Sequence, residues 1–337
     1  MIPILLVIMN FIYSYFFFEK DLQKYSPIIT KIRKAVSDSL EIVYLGESSN
    51  TTYRINDTDT RPISGILQDY YPTIRIGDIT KEASHSGMYY EYLRNIPENK
   101  TIKTVIVTMN LRSFNANWIY SDLETPLQKS ILLLKDYPPL YSRFLLAFKS
   151  YDNKTIAERE KQFKYAWKHD KLVSTYPLQY SNVIEWDKAV FSHKFKNADG
   201  TPNDSLTVLA CHYIKGYAFT IDVKNNPRIK DFDTIVKLAK SRNWNLIFVI
   251  MAENMETANT LVGKELTSLM THNRDILVNR YSKSNVLVID NLDKIPNKQF
   301  IDQNWTTEHY AQDGRRIIAQ NIAIGLKKWY NNKYISY

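Results

Sequence analysis

Short apolar runs alternate with amphipathic segments in the first and last thirds of this chain. Apolar runs bounded by polar or turn-forming residues predict strands, and apolar residues spaced three or four apart predict helices. The predicted strands span residues 41–45, 73–77, 101–108, 245–250 and 285–290. The predicted helices span 21–40 (interrupted near Pro27), 62–70, 87–96, 229–242, 256–281 and 314–329. This alternation predicts an α/β fold with a central parallel sheet and helices on both faces.

The middle of the chain, about residues 113–228, breaks this rhythm. Helices are predicted at 127–134, 141–148 and 155–171, and less regular apolar patterns occupy 182–195 and 206–222, joined by a turn-rich link at 197–204. We interpret 113–228 as a mainly helical insertion that is rich in aromatic residues. Insertions of this kind often carry substrate specificity, and a purely structural elaboration is the alternative.

Residues 1–18 contain no charged side chain. The length of this segment is close to the about 18–20 apolar residues that span a bilayer. The segment is either a signal peptide or an uncleaved anchor. Because it lacks a basic start and a small-residue cleavage site, an N-terminal transmembrane anchor is favoured. We therefore expect membrane contact through this segment, and a single α/β domain, residues 19–337, outside the cytoplasm in a periplasm or cell envelope.

The composition limits the function classes. The 337 residues are 44% hydrophobic and 23% charged, as in a globular protein. The net charge of +9 is spread along the chain without a dense basic block, so no nucleic-acid partner is expected. The positive charge is explained by a solvated basic surface, or else by an anionic substrate or membrane surface. Cys211 is the one cysteine, predicted to be a core residue rather than a nucleophile. Without a phosphate-binding loop or metal-ligand cluster, no cofactor or metal is predicted.

Residues that can carry chemistry follow the first and last predicted strands. The first strand ends in Gly46, Glu47 and Ser48, and a serine in a tight strand-to-helix turn can expose its hydroxyl. A helix cap is the alternative role for this serine. His309 precedes the final helix, where a neutral imidazole could accept the proton of Ser48. A helix-capping or surface histidine is the alternative there.

Two further segments follow predicted strands at the same edge of the sheet. Residues 82–87 contain His85, either a second base or a structural hydrogen-bonding residue, and Gly87, which lets the backbone approach a ligand closely. Asn110 follows the third strand, where its side-chain amide could donate to a developing oxyanion. An Asx turn that closes the strand is the alternative role for Asn110.

Taken in order, these segments resemble the sequence blocks of the SGNH (GDSL-like) hydrolase superfamily. Gly46-Glu-Ser48 resembles its Gly-Asp-Ser block, residues 83–87 its second block and residues 108–111 its third. His309, with Gly314 five residues later, resembles its last block. The resemblance covers residues 41–112 and 229–330, and implies a flavodoxin-like three-layer α/β/α fold that hydrolyses or transfers acyl esters.

The resemblance also implies residue roles. Ser48 would be the nucleophile, His309 the general base, and the oxyanion hole would combine the Ser48 N–H, the Gly87 N–H and Asn110. The chain departs from the family at Glu47 and Leu111, where aspartate is usual, and at Thr306, three residues before His309, where the family has its acid. The residue that orients His309 would then be Glu308, Asp302 or a backbone carbonyl.

The function expected from the sequence is therefore a membrane-anchored serine esterase. It would remove small, acetyl-like acyl groups from a small-molecule ester or from an ester of a glycan or cell-envelope component, through an acyl-enzyme on Ser48. An O-acyltransferase with the same site is one alternative. A non-catalytic binding or scaffold protein that retains the fold is the other.

Overall fold

A computed structural model describes residues 2–98, 101–284 and 286–336, whose strands form one parallel sheet. The strands are β1 (Ile42–Gly46), β2 (Ile76–Thr80), β3 (Thr104–Met109), β4 (Asn245–Ile250) and β5 (Leu287–Asp290). Their order across the sheet is β2-β1-β3-β4-β5, and every neighbouring pair is parallel. This is the flavodoxin-like order, with a topological switch point between β1 and β3. The predicted fold class is confirmed.

Helices connect and cover the strands. In chain order they are α1 (Ile2–Phe16), α2 (Phe18–Tyr25), α3 (Ile28–Ser37), α4 (Ser48–Thr51), α5 (Ile63–Tyr70), α6 (Ser86–Arg94), α7 (Ala116–Ile119), α8 (Glu124–Leu132), α9 (Pro139–Ala147), α10 (Ile156–His169), α11 (Val183–His193), α12 (Asp204–Tyr217), α13 (Pro227–Ser241), α14 (Met255–Leu261), α15 (Lys264–Ser282) and α16 (Gln312–Tyr330). The predicted break near Pro27 is present, between α2 and α3. The three predicted helices of the middle segment are α8, α9 and α10, and the two less regular patterns form α11 and α12.

The two faces of the sheet bury separate apolar clusters, since successive side chains of a strand point to opposite faces. In β1, Val43 and Leu45 pack with α3, α6, α13 and α15, whereas Ile42 and Tyr44 pack with α5 and α16. All five residues of β1 are buried, as expected for a strand covered on both faces. The molecule therefore has three layers, with the sheet in the middle.

The second strand lies three residues later than the prediction of 73–77. It begins at Ile76 because the chain before it turns, with the Ile74 N–H donating to the Tyr71 carbonyl at 3.0 Å. The Gln68 side chain closes this turn by donating to the carbonyls of Tyr71 and Ile74. The apolar Ile74 therefore packs into the core from a turn rather than from a strand.

The predicted helix 256–281 is wrong in one respect, because it is divided into α14 and α15. The division falls at Val262 and Gly263, and Gly263 has a φ of +109°, outside the helical region. Apolar residues on both sides of the break face the same core, which made the sequence pattern look continuous. Asn285, at the start of the predicted last strand, lies outside the described residues, as do Met1 and Tyr337 of the predicted leader and domain.

The N-terminal helices do not form one straight segment. Among the described residues, no single helix is long and apolar enough to cross a membrane. Helices α1 and α2 meet the length and hydropathy of a span only as a pair, and they are bent by 61° at Phe17.

Candidate active site

Ser48 is held at the carboxyl end of β1 by a tight turn into α4. Glu47 caps this helix, and its carboxylate accepts hydrogen bonds from the Ser49 N–H at 2.9 Å and from the Ser49 hydroxyl. The strand ends at Gly46, where a Cβ would lie 2.8 Å from the Tyr44 ring. The buried strand and the capped helix start therefore fix Ser48 at the switch point of the sheet.

Asn50 ties the serine turn to neighbouring elements. Its side-chain amide donates to the Thr80 hydroxyl at 2.8 Å, and its carbonyl oxygen accepts from the Ser64 N–H at 3.0 Å. Asn50 is fully buried, so these bonds are shielded from water. The turn is thereby attached to the end of β2 and to the start of α5.

His309 reaches Ser48 because the loop after β5 folds back on itself. Phe300 and Tyr310 form an antiparallel bridge, and the Ile301 N–H donates to the His309 carbonyl at 2.9 Å. This pairing sets Asp302 beside the imidazole, with 2.7 Å between its Oδ2 and His309 Nδ1. On the other side, His309 Nε2 lies 3.0 Å from Ser48 Oγ.

The Asp302 carboxylate sets the tautomer of His309. A carboxylate can only accept, so Nδ1 carries the proton and the lone pair of Nε2 faces Ser48. The Thr307 hydroxyl also donates to Asp302, at 2.5 Å, which holds the carboxylate in place. Serine, imidazole and carboxylate thus form a continuous chain, in which His309 can accept the serine proton and Asp302 can stabilise the resulting imidazolium.

Glu308, the other predicted acid, points away from the imidazole. Its carboxylate pairs with Arg112, with Oε1 2.7 Å from Nε and a second contact through the terminal nitrogen, and both side chains are buried. Burial alone would raise the pKa of Glu308, but the charge and hydrogen bonds of Arg112 outweigh it and hold that pKa below its usual range. Of the two predicted acids, only Asp302 contacts His309.

The predicted oxyanion donors are not all placed together. Ser48 and Asn110 both line the cavity at the switch point. Gly87 is not among the lining residues, and its N–H donates to His85 Nδ1 at 3.2 Å. In the part of the chain that the structure describes, the Asn110 side-chain oxygen is buried without a hydrogen-bond partner, and nothing accepts from the Ser48 N–H.

Ala83 is a cavity residue that sequence analysis did not single out. It lies in the turn after β2, which is closed by the Ser84 N–H donating to the Lys81 carbonyl at 3.2 Å. Its φ is +57°, in the left-handed region that alanine rarely adopts. Among the described residues none accepts a hydrogen bond from its N–H. Nothing in the sequence marks this conformation, because alanine is common in every kind of element.

The cavity in front of Ser48 has a volume of about 610 Å³ and is closed on one side by the middle segment. Its outer part is lined by Trp118, Leu123 and Trp305, of which Trp305 is half exposed. Its inner part is lined by buried side chains, including Leu127 and Phe232. The site thus combines apolar wall residues with many polar and charged side chains.

A second polar cluster lies in the inner wall of the cavity. His85 Nε2 is 3.1 Å from Glu124 Oε1, and Arg228 contacts both residues. Burial, followed by the charge of Arg228, lowers the pKa of His85 to about 4. Glu124 is kept ionised because hydrogen bonds and charges of these two neighbours outweigh its burial and lower its pKa to about 2. His85, the predicted second base, has no contact with Ser48.

The remaining candidates lie away from Ser48. Cys211 is buried in α12, where burial raises the pKa of its thiol to about 12, and it does not line the cavity. Among the described residues, no group of three His, Cys, Asp or Glu side chains could hold a metal ion.

Comparison with known proteins finds only distant likeness. No protein-family model matches this chain, and no curated protein sequence matches it. Among solved structures, the chain is similar to a GDSL-like lipase from Bacteroides thetaiotaomicron, with a TM-score of 0.36 and 10% identity, over 91% of this chain and 98% of that one. It is also similar to a point variant of an acetyl-xylooligosaccharide esterase from Geobacillus, with a TM-score of 0.38 and 9% identity, over 85% and 93% of the two chains.

Proposed function

We propose that this protein is a serine esterase of the SGNH type that acts on small acyl esters through an acyl-enzyme on Ser48. The observation that carries the proposal is the unbroken chain of contacts from Ser48 Oγ to His309 Nε2, at 3.0 Å, and from His309 Nδ1 to Asp302, at 2.7 Å. A nucleophile, a base within hydrogen-bonding distance and a third group that orients the base are the parts that acyl transfer requires.

The steps follow from the tautomer of His309. Its Nε2 accepts the hydroxyl proton while Ser48 Oγ bonds to the carbonyl carbon of the ester. The imidazolium then gives that proton to the departing alcohol oxygen, which leaves an acyl group on Ser48. Water enters, loses a proton to Nε2 and attacks the acyl carbon; the carboxylic acid leaves and Ser48 Oγ regains its proton. Asp302 stabilises the imidazolium in both halves of the reaction.

For the oxyanion hole we propose the Ser48 N–H, the Asn110 side-chain amide and the Ala83 N–H. Ala83 takes the place that the sequence analysis gave to Gly87, because the Gly87 N–H already donates to His85. Holding a non-glycine residue at positive φ costs about 1–2 kcal/mol, and such strain is commonly retained where backbone geometry serves a site.

Removing one oxyanion donor tests this assignment. Asn110→Ala should lower kcat by about a hundred- to a thousandfold with little change in KM, because an oxyanion donor acts mainly in the transition state. A change confined to KM would show instead that Asn110 contacts the ground-state substrate.

The substrate that we propose is an acetyl-like ester of a glycan or another cell-envelope component. Two features favour an alcohol part with a flat, partly apolar ring. The cavity is much larger than an acetyl group needs, and the aromatic residues Trp118 and Trp305 line its outer part. The apolar N-terminal helix α1 is consistent with a substrate close to a membrane.

An O-acyltransferase using the same residues is the second candidate. It is favoured by the wall that residues of the middle segment add to the cavity, among them Trp118, Leu123 and Leu127. Such a wall can hold an acceptor alcohol and limit the access of water to the acyl-enzyme. Adding a sugar alcohol to the assay separates the two, because a transferase would form acylated sugar faster than free acid.

The test uses the full chain with p-nitrophenyl acetate and, separately, a sulfonyl fluoride that labels activated serines. We expect turnover and a single covalent adduct on Ser48, both absent in Ser48→Ala. Ser121→Ala is the matched control, because Ser121 also lines the cavity but lies outside the chain of contacts; it should keep both signals. A folded wild-type protein without turnover or adduct would contradict the proposal and favour the non-catalytic scaffold.

A further inference from the structure

Helix α9 of the middle segment packs against the N-terminal helix α1, about 130 residues away in sequence. The Leu140 N–H donates to the Asn10 side-chain oxygen at 2.9 Å. Further along, Asp21 accepts from the Tyr13 hydroxyl at 2.8 Å and lies 3.5 Å from the Arg143 guanidinium. Helix α1 and the adjoining α2 therefore both contact α9, and the apolar leader is docked on the body of the protein.

The outer sides of both helices are apolar and exposed. Most apolar residues of α1 are exposed, and aromatic residues are exposed on α9 and at the residue that follows it; examples are Ile4, Val7, Phe11, Tyr15, Tyr141, Phe144 and Phe148. Phe11 is 70% exposed and Phe148 is 77% exposed. Exposed apolar residues in such number mark a contact with a partner or a membrane.

The first turn of α9 leaves no backbone N–H group free. Pro138 and Pro139 have none, the Leu140 N–H is taken by Asn10, and the Tyr141 N–H donates to the Pro138 carbonyl at 2.8 Å. A helix start in water needs no such arrangement, because water satisfies its free N–H groups. In hydrocarbon each unsatisfied group costs several kcal/mol. A helix start without free N–H groups is therefore compatible with a lipid surface.

Lysines without an acidic partner lie near the ends of the two helices. In the described part of the chain, no carboxylate lies within 4.0 Å of the ammonium groups of Lys20 and Lys24, in α2, or of Lys149, two residues beyond α9. The acidic Asp21 between them is paired with Arg143. Unpaired lysines beside an apolar surface complement the anionic headgroups of a bilayer.

From these observations we propose that α9 lies in the interfacial region of a lipid bilayer beside α1. The protein would then contact the membrane through two segments rather than through the leader alone. In this arrangement the Asn10 side chain accepts from the Leu140 N–H, the first N–H of α9, where no water is present to do so. The proposal does not depend on the catalytic activity.

A fluorescent label at one position tests the proposal. Cys211→Ala removes the one cysteine, after which Tyr141→Cys on α9 or Phe191→Cys on α11 carries an environment-sensitive dye. Phe191 is the matched control, since it is an exposed aromatic residue on a helix of the same segment. The labelled full-length chains are reconstituted with vesicles of phosphatidylcholine and phosphatidylglycerol. We expect a blue-shifted emission, quenched by nitroxide-labelled lipid, at position 141 and neither effect at position 191.

A second variant separates α9 from the leader. Asn10→Leu makes α1 more apolar, so vesicle binding through α1 should persist, but it leaves the Leu140 N–H without its acceptor. Quenching at position 141 should therefore decrease at least twofold while the bound fraction stays constant.

Three outcomes would overturn the proposal. First, the dye at position 141 of vesicle-bound protein could remain as accessible to water as the dye at position 191. That result would place α9 outside the bilayer. Failure of the full chain to bind vesicles would exclude a membrane surface altogether. Protection of position 141 without vesicles, increasing with protein concentration, would show that a second copy of the chain covers this surface.

Discussion

Both histidines that line the cavity contact a carboxylate, and only one of them faces a nucleophile. His309 contacts Asp302 at 2.7 Å, and His85 contacts Glu124 at 3.1 Å. The His309 side chain is 25% exposed, whereas that of His85 is 5% exposed. Both pairs combine the same chemical groups, so the difference between them lies in what surrounds the second ring nitrogen.

In the His85 pair neither ring nitrogen is available. Its Nδ1 accepts from the Gly87 N–H at 3.2 Å and lies 2.8 Å from Arg228, which leaves the proton on Nε2, directed to Glu124. The Nε2 of His309 instead faces Ser48. An imidazole beside a carboxylate therefore becomes a candidate base only where the fold leaves its other nitrogen facing a group that can give up a proton.

Replacing each histidine gives the largest contrast. His309→Gln should lower kcat for p-nitrophenyl acetate by about ten-thousandfold or more, because a triad without its base loses nearly all turnover. His85→Gln should change kcat by less than about tenfold, since His85 does not contact Ser48. Stopped assays on both variants, corrected for the folded fraction by circular dichroism, measure this. Equal losses in the two would show that His85 takes part in the reaction.

The two carboxylates near His309 should separate activity from stability. Asp302→Asn should lower kcat by about a thousand- to ten-thousandfold through the wrong tautomer, with little effect on unfolding. Glu308→Gln should lower the free energy of unfolding by about 3–5 kcal/mol, because it leaves the buried Arg112 charge uncompensated. Kinetics and urea unfolding on both variants decide this. A catalytic defect in folded Glu308→Gln as deep as that of Asp302→Asn would show that both acids support His309.

Glu124→Gln tests the structural role assigned to the inner pair. It should lower the free energy of unfolding by about 3–5 kcal/mol, because Arg228 would lose its buried counter-charge. Urea unfolding measures the effect, and Glu185→Gln, an exposed glutamate on α11, is the control that should stay within about 0.5 kcal/mol of wild type. An unfolding curve of Glu124→Gln that matches wild type would contradict a structural role for the pair.

The smallest expected effect is on the pH dependence of stability. The pKa of His85 falls from 6.5 in the unfolded chain to about 4 in the folded protein. As the pH falls, the unfolded chain therefore protonates His85 before the folded protein does, and the free energy of unfolding decreases between these two pKa values. Burial, opposed by Arg228, raises the pKa of Asp231 from 3.8 to about 6, so stability increases over nearly the same range. The two contributions oppose each other in the wild type.

Asp231→Asn removes one of these contributions. Between pH 7 and pH 5 its free energy of unfolding should decrease more than that of the wild type, and adding His85→Gln should abolish the extra decrease. Urea unfolding at the two pH values measures both. An identical pH dependence in wild type and Asp231→Asn would show that Asp231 does not titrate in this range.

Local patterns in the sequence were sufficient for the architecture. Alternating apolar runs and amphipathic segments predicted the parallel sheet, because each strand buried on both faces has to be apolar throughout. They also identified Ser48 and Asn110 as polar residues at strand ends and His309 as a polar residue before the final helix. The second strand and the division at Gly263 were misjudged, since an apolar residue such as Ile74 packs equally well from a turn.

The choice between Asp302 and Glu308 required the tertiary structure. Glu308 is adjacent to His309 in sequence, and adjacent residues of an extended segment point to opposite sides. Its side chain turns inward to Arg112, 196 residues away. Asp302 reaches the imidazole through the antiparallel pairing of its loop, which no local pattern predicts.

The sequence by itself determined the fold class and brought attention to Ser48 and His309, because burial and strand-end chemistry leave a periodic, local signature. The tertiary structure alone decided that Asp302 contacts His309, that Ala83 adopts a left-handed conformation and that His85 is enclosed by Arg228 and Glu124. These features depend on groups from distant parts of the chain meeting where water is excluded, and the pairing of such groups is set by packing rather than by neighbouring residues.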